Sequence, residues 1–273
     1  MKGKPLLLLF APVSIYFVLS INSCRKADRD DDNETQSAAD NGNAQQIFND
    51  IFKQVAYYAD TNSIFKLAAS ASCDTSWITG TTFPETLTIK YDTITGCTDA
   101  AGITHRGKVK AVFSKKLTDS LSVTTVSFKD FYRNNYKITG TQTITNKGII
   151  SGKPNFSVVI SNALITAPDG KTITWNAQLT YKLIAGDTTG TFSDDVFSIT
   201  GTSNGIGVKG TTFSGTITNA LRFELACNYI SSGTLTLSPG TLDTRIVDFG
   251  GGACDNSCTV KLTGKTLTIT TLP

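Results

Sequence analysis

Histidine occurs only once in the 273 residues, at His105, and Trp77 and Trp175 are the only indoles. A Ser-His-Asp or Cys-His catalytic arrangement would have to be built on that single imidazole. It sits in "GITHRGK", a polar stretch that reads as a solvated junction between loop and strand. Zinc is equally short of ligands, because the CxxxC pair Cys254 and Cys258 has no histidine or further cysteine nearby to complete a tetrahedral set. "GTSNGIGVKG" lacks the spacing and the strand-helix context of a phosphate loop and reads as a hairpin. Basic residues exceed acidic ones by only three, with no polybasic run, which excludes nucleic acid as an expected partner. The acid pairs a glycosidase would use, Asp194 with Asp195 or Asp248 with Asp255, read as turn formers. Nothing in their spacing sets either pair across a cleft. No catalytic residue, metal ligand or cofactor is expected.

Long apolar runs are missing too, save one at the N-terminus. Leu6 to Leu19 follows Lys2 and Lys4 and is too short to span ~30 Å of hydrocarbon, so residues 1–23 read as an export signal. Its end, "INSC", resembles the lipobox of bacterial lipoproteins, which makes Cys24 the expected lipidation site and the membrane a partner through that lipid. Residues 24–43 carry almost no apolar side chain larger than alanine and read as a flexible spacer. Its acids, Asp28, Asp30, Asp31, Asp32 and Glu34, resemble the surface-export signal of lipoproteins in Bacteroidota.

Residues 44–70 hold the one helix that the pattern predicts, with its connector. In "NAQQIFNDIFKQVAYYAD", Ile47, Phe48, Ile51, Phe52 and Val55 recur at three- and four-residue spacing and form one apolar stripe. Asn43 is the expected N-cap. Lys53 is the only basic residue in that stretch, so the stripe should cover the β-domain and not a membrane surface.

From residue 71 onward the apolar period is two. Ile173, Trp175, Ala177, Leu179, Tyr181 and Leu183 share one face of the clearest strand, with polar residues between them. Similar runs lie at residues 87–91, 109–113, 156–160, 221–229, 235–237 and 267–269, and a parity slip near residues 123–126 suggests a bulge. Connections are too short for crossover helices. The expected fold is all-β: an antiparallel, meander-like sheet over residues 71–273, as a curved open sheet, sandwich or partial barrel, with one N-terminal amphipathic helix. Residues 138–164 and 199–221 echo each other through Ile-Thr-Gly-Thr, Phe-Ser and Asn-Ala-Leu and read as two similar β-units.

An exported chain favours disulfides. Cys73 and Cys97 are symmetric about the turn-like "FPET". Cys227 shares the inward parity of Leu221, Phe223 and Leu225, and its reflection through the "SPGT" turn falls two residues from Cys254. Bridges 73–97 and 227–254 are expected, leaving Cys258 over.

"FPETLTIKYD", "GCTDAAGITHRGKV", "TAPDGKTITW", "FELACNYISSGTLTL" and "VDFGGGACDNSCTVKLTGKTLTIT" together resemble an uncharacterised family of exported β-rich lipoproteins of Bacteroidota. The resemblance implies a lipid anchor, one β-domain, four hairpin cysteines and no assigned reaction; Cys258 departs from its pattern. The expected protein is a lipid-anchored, surface-exposed outer-membrane protein of non-catalytic binding or scaffolding type. A glycan or an envelope protein is its expected ligand, a glycan having Trp77 or Trp175 as a stacking platform, although the parity of Trp175 assigns it to the core. A hydrolase of extracellular polysaccharide is the alternative.

Overall fold

The computed structural model describes residues 32–59, 74–99, 101–189 and 192–272. Cys24, Cys73 and the signal segment lie outside these residues. Helix α1 (Gln36–Ala59) precedes fourteen strands: β1 (Asp74–Thr79), β2 (Glu85–Tyr91), β3 (Cys97–Thr98), β4 (Thr104–Phe113), β5 (Val123–Arg133), β6 (Tyr136–Ile150) and β7 (Lys153–Thr166). The chain continues through β8 (Thr172–Ala185), β9 (Val196–Ile206), β10 (Thr212–Glu224), β11 (Ile230–Pro239), β12 (Arg245–Gly251), β13 (Ser257–Leu262) and β14 (Lys265–Thr270). All pair antiparallel in chain order into one open sheet, with the two-residue β3 attached to β4 beside the main path. The all-β meander is what the chain builds, and among the architectures left open it adopts the open sheet. β8 obeys the expected parity: Ile173, Trp175, Ala177, Leu179, Tyr181 and Leu183 are all buried.

The sheet bends where strands slip register. The bulge expected at residues 123–126 lies instead between Ser127 and Phe131, because Thr124 and Val126 keep one inward parity while Val123 simply faces out. The two echoing segments fold as the β6–β7 and β9–β10 hairpins. Their shared Ile-Thr-Gly-Thr puts a glycine in mid-strand at positive φ, Gly140 at 112° and Gly201 at 132°. A Cβ on Gly140 would lie 2.7 Å from the Cα of Ala163, and one on Gly201 would lie 2.1 Å from the Gln178 carbonyl oxygen. Only glycine permits such approach, and the local kink curves the sheet. The shared Asn-Ala-Leu supplies extra residues, with register shifts at 160/163 in β7 and between Asn219 and Arg222 in β10.

What the sheet curves around is α1. The helix starts at Gln36, seven residues before the expected cap. The Glu34 carboxylate accepts the Ser37 N–H at 2.9 Å and so fills the capping role. Asn43 lies inside the helix and accepts the Leu272 N–H at 2.7 Å. Residues 32–43 are therefore structured, contrary to the spacer expectation, and are fastened by an arginine. The fully buried Arg245 donates to Asp32 at 2.8 Å, to the Glu34 carboxylate at 3.1 Å and to the Asp243 carbonyl.

Nor is α1 amphipathic in the simple sense. Ile47, Phe48, Ile51, Phe52 and Val55 are buried as expected, but so are Asp40, Asn41, Gln45, Asn49 and Asp50. Each of these five makes at least one hydrogen bond, although the Nδ2 of Asn49 is left without a partner. Asp40 accepts the Val208 N–H at 2.9 Å. Asn41 accepts from the Trp175 indole at 2.9 Å and from Ser203 at 2.7 Å. Gln45 donates to Asn49, which also accepts the Tyr181 hydroxyl. No helix among the described residues is long and apolar enough to cross a membrane.

The Cys227–Cys254 bridge forms, with its α-carbons 5.8 Å apart. The strand expected over residues 221–229 stops at Glu224, however, and Cys227 sits in the turn leading to β11. Cys97 is disulfide-bonded, and its expected partner Cys73 lies outside the described residues. Cys258 is free and buried on β13, where desolvation pushes its thiol up to about 11.

A candidate ligand cleft

An antiparallel meander places alternate connections at opposite ends of its sheet. One end gathers the β1–β2, β4–β5, β6–β7 and β8–β9 connections, and there a cleft of about 890 Å³ opens between the sheet and the C-terminal half of α1. That size falls within the range of ordinary ligand pockets. The helix sequence explains the opening. Phe48 and Phe52 fill the interior, but the same face continues with Ala56 and Ala59, which leave the space beside them empty. The floor is aromatic: Phe52 meets Phe156 edge-on at 6.0 Å and Phe197 at 5.4 Å. Phe113, Leu117 and Leu183 add apolar wall.

Polar side chains share the lining, Thr118, Ser120, Asn146 and Thr189 among them. Asp187 accepts both its bonds from Lys153 at 2.8 Å. The Asp195 carboxyl lies half-buried at the rim. Desolvation, reinforced by the negative charges of Asp194 and Asp187, raises its pKa to about 6. Glu85 and Lys116 complete the charged lining.

The other candidates take structural roles. His105 is not solvated: it is buried on β4, with Nε2 2.9 Å from Asp50 Oδ2, which also accepts from Arg133 Nε at 3.0 Å and from Gln54 at 2.8 Å. Burial alone would raise the Asp50 pKa, but the charges of His105 and Arg133 and their hydrogen bonds outweigh it and hold the carboxyl below its usual range. Tyr91, whose hydroxyl donates to Gln54, closes this cluster. It ties α1 to β2, β4 and β5 and engages the imidazole Nε2 with Asp50 and Gln54. A polar residue inside a helix stripe was the one signal of this network, and period alone could not reveal it.

Among the carboxylate pairs, Asp248 holds Lys261 at 3.1 Å and Asp255 accepts its own turn's Ser257 N–H. Asp194 accepts Thr189 at 2.9 Å. Trp175 is core, whereas Trp77 is 42% exposed on edge strand β1. A polar hollow of about 210 Å³ on β7–β9, among Ser161, Asn176, Gln178, Thr202 and Asn204, has no aromatic ring in its lining. No group of three or more His, Cys, Asp or Glu among the described residues is placed to hold a metal ion. Sequence reasoning placed Phe52 on the helix stripe and Phe113 and Phe156 in strands without foreseeing a cleft; the tip motif "KGIISGK", with two adjacent isoleucines beside a turn, was the available hint of an apolar mouth. Comparison with family models, curated proteins and solved structures finds no match for this chain.

Proposed function

We propose that this is a lipid-anchored envelope protein of non-catalytic binding type, whose site is the cleft and whose ligand is an alkyl-chain amphiphile. The cleft carries the reading. Five phenylalanines and two leucines give it an apolar floor and wall, and three of its polar side chains, Asn146, Thr189 and Asp187, are already bonded within the protein, to the Leu117 and Gly186 carbonyls and to Lys153. The resemblance of "INSC" to a lipobox supports the anchor at Cys24. Against a hydrolase built on the acid pairs singled out for it, Asp248 is held by Lys261, Asp255 by its own turn and Asp194 by Thr189, which leaves Asp195 as the one member of either pair that lines the cleft.

The test is titration with a fluorescent fatty-acid analogue and with a soluble oligosaccharide. Ala56→Trp should fill the cleft and weaken the fatty-acid analogue at least tenfold while leaving the thermal transition within a few degrees. Saturable oligosaccharide binding with no response to the alkyl probe would replace this reading. For the anchor, Cys24→Ser should release the protein from membranes, and persistent association of that variant would refute lipidation at Cys24.

A further inference from the structure

Beside the cleft mouth the chain displays apolar side chains to solvent: Leu121 is 66% exposed, Ile149 69% and Ile150 50%. They belong to one platform. The β4–β5 loop and the tip of the β6–β7 hairpin are knit together, with the Leu121 N–H donating to the Asn146 carbonyl and the Asn146 N–H to the Ser122 carbonyl. Asn146 Nδ2 adds a bond to the Leu117 carbonyl at 3.0 Å. The platform holds its shape at unusual backbone angles, Leu121 at φ 62° and Ser151 at φ 51°. A bulky residue at positive φ is uncommon, and here it keeps a leucine outside the core that its own type would favour. Both segments also line the cleft, through Leu117, Thr118, Ser120 and Ile149.

Within these two segments lysines outnumber acids, while Glu85, Asp187 and Asp195 line the cleft itself. Lys115, Lys116 and Lys147 are exposed beside it, and Lys153 follows the hairpin tip, paired with Asp187; Asp119 is the one acid in the two segments. Protruding aliphatic residues within a lysine fringe match a bilayer interface, where the apolar groups enter the acyl boundary and the ammonium groups meet headgroup phosphates. Adjacent isoleucines exposed at the lip of a cleft mark an interaction site.

We infer that this platform docks on an anionic lipid surface presented to the cleft end, so that an alkyl chain passes from bilayer to cleft without crossing water. The inference rests on the binding reading above, and names the source of its ligand.

The test is hydrogen exchange by mass spectrometry on the whole chain, with vesicles of phosphatidylglycerol and phosphatidylcholine. A local readout is needed because the N-terminal apolar segment can bring the chain to vesicles by itself. Amides at 115–122 and 147–153 should exchange at least tenfold more slowly with vesicles. Ile149→Asp with Ile150→Asp should abolish that slowing, whereas Ile94→Asp, 84% exposed on the β2–β3 turn at the other end, should not. Equal slowing with pure phosphatidylcholine would overturn the lysine fringe's part. No slowing at either segment while the chain binds a free alkyl probe would overturn docking and leave the cleft reading intact. Slowing without probe binding would do the reverse.

Discussion

Replacing Arg245 by methionine tests whether the acidic stretch after Cys24 is a clasp. The guanidinium is wholly buried and donates to Asp32, Glu34 and the Asp243 carbonyl, while the two carboxylates are only 22% and 15% exposed. Breaking a fully buried pair from one side costs about 3–5 kcal/mol, because the surviving charge stays desolvated. The carboxylates here can relax toward solvent once released, so the lower part of that range applies, about 3 kcal/mol. Removing the acids instead, as Asp32→Asn with Glu34→Gln, strands the guanidinium, which cannot escape, and should cost at least as much. The decisive quantity is the coupling. In the Arg245→Met background the same acid substitutions should cost less than about 1 kcal/mol, because little remains to lose. Urea titrations of the four chains at one pH, followed by far-ultraviolet circular dichroism, give all the terms. Additive losses would show that the three residues do not act together, and the clasp would have to be abandoned. The same reasoning changes how export should be probed. Substituting Asp30 and Asp31 tests an export signal, whereas substituting Asp32 as well unfastens the helix.

Cys227→Ala should cost roughly 3 kcal/mol by freeing the 27-residue span to Cys254, whereas Cys258→Ala removes one buried sulfur and should cost about 1 kcal/mol; Cys258 should react with a maleimide only once urea has unfolded the chain. Gly140→Val should destabilise by more than about 2 kcal/mol, since strain at positive φ adds to a clash with Ala163, and an unchanged urea midpoint would refute the kink. Asp195 has a folded pKa of about 6, above that of the unfolded chain, so its protonated form is favoured in the fold and stability falls as pH rises through 6. Asp195→Asn should flatten that fall, by about 1 kcal/mol after allowance for solvent screening of a half-exposed group, in melts between about pH 3.5 and 7, which bracket the unfolded and folded pKa values; a pH profile unchanged from the parent would mean the carboxyl is ionised and well solvated throughout.

Period and turn chemistry alone determined the class of fold. Alternation needs only neighbouring residues, so β8 could be assigned side chain by side chain, and short connections left no route but an antiparallel meander. Hairpin symmetry placed Cys227 beside Cys254 although the strand drawn through Cys227 was wrong, because a bridge across a hairpin depends on the turn more than on strand length. The surroundings of α1 were decided only in three dimensions. Asp40, Asn41, Gln45, Asn49 and Asp50 look like a solvent-facing side when the helix is read by itself. They are buried because the sheet curves far enough to bring Val208, Trp175, Ser203, Tyr181, His105 and Arg133 to the same helix, and those contacts span more than fifty residues of chain. The cleft has the same origin. Ala56 and Ala59 are unremarkable in sequence, and become the wall of a cavity only when phenylalanines from three different elements close around them and the sheet remains open at that end.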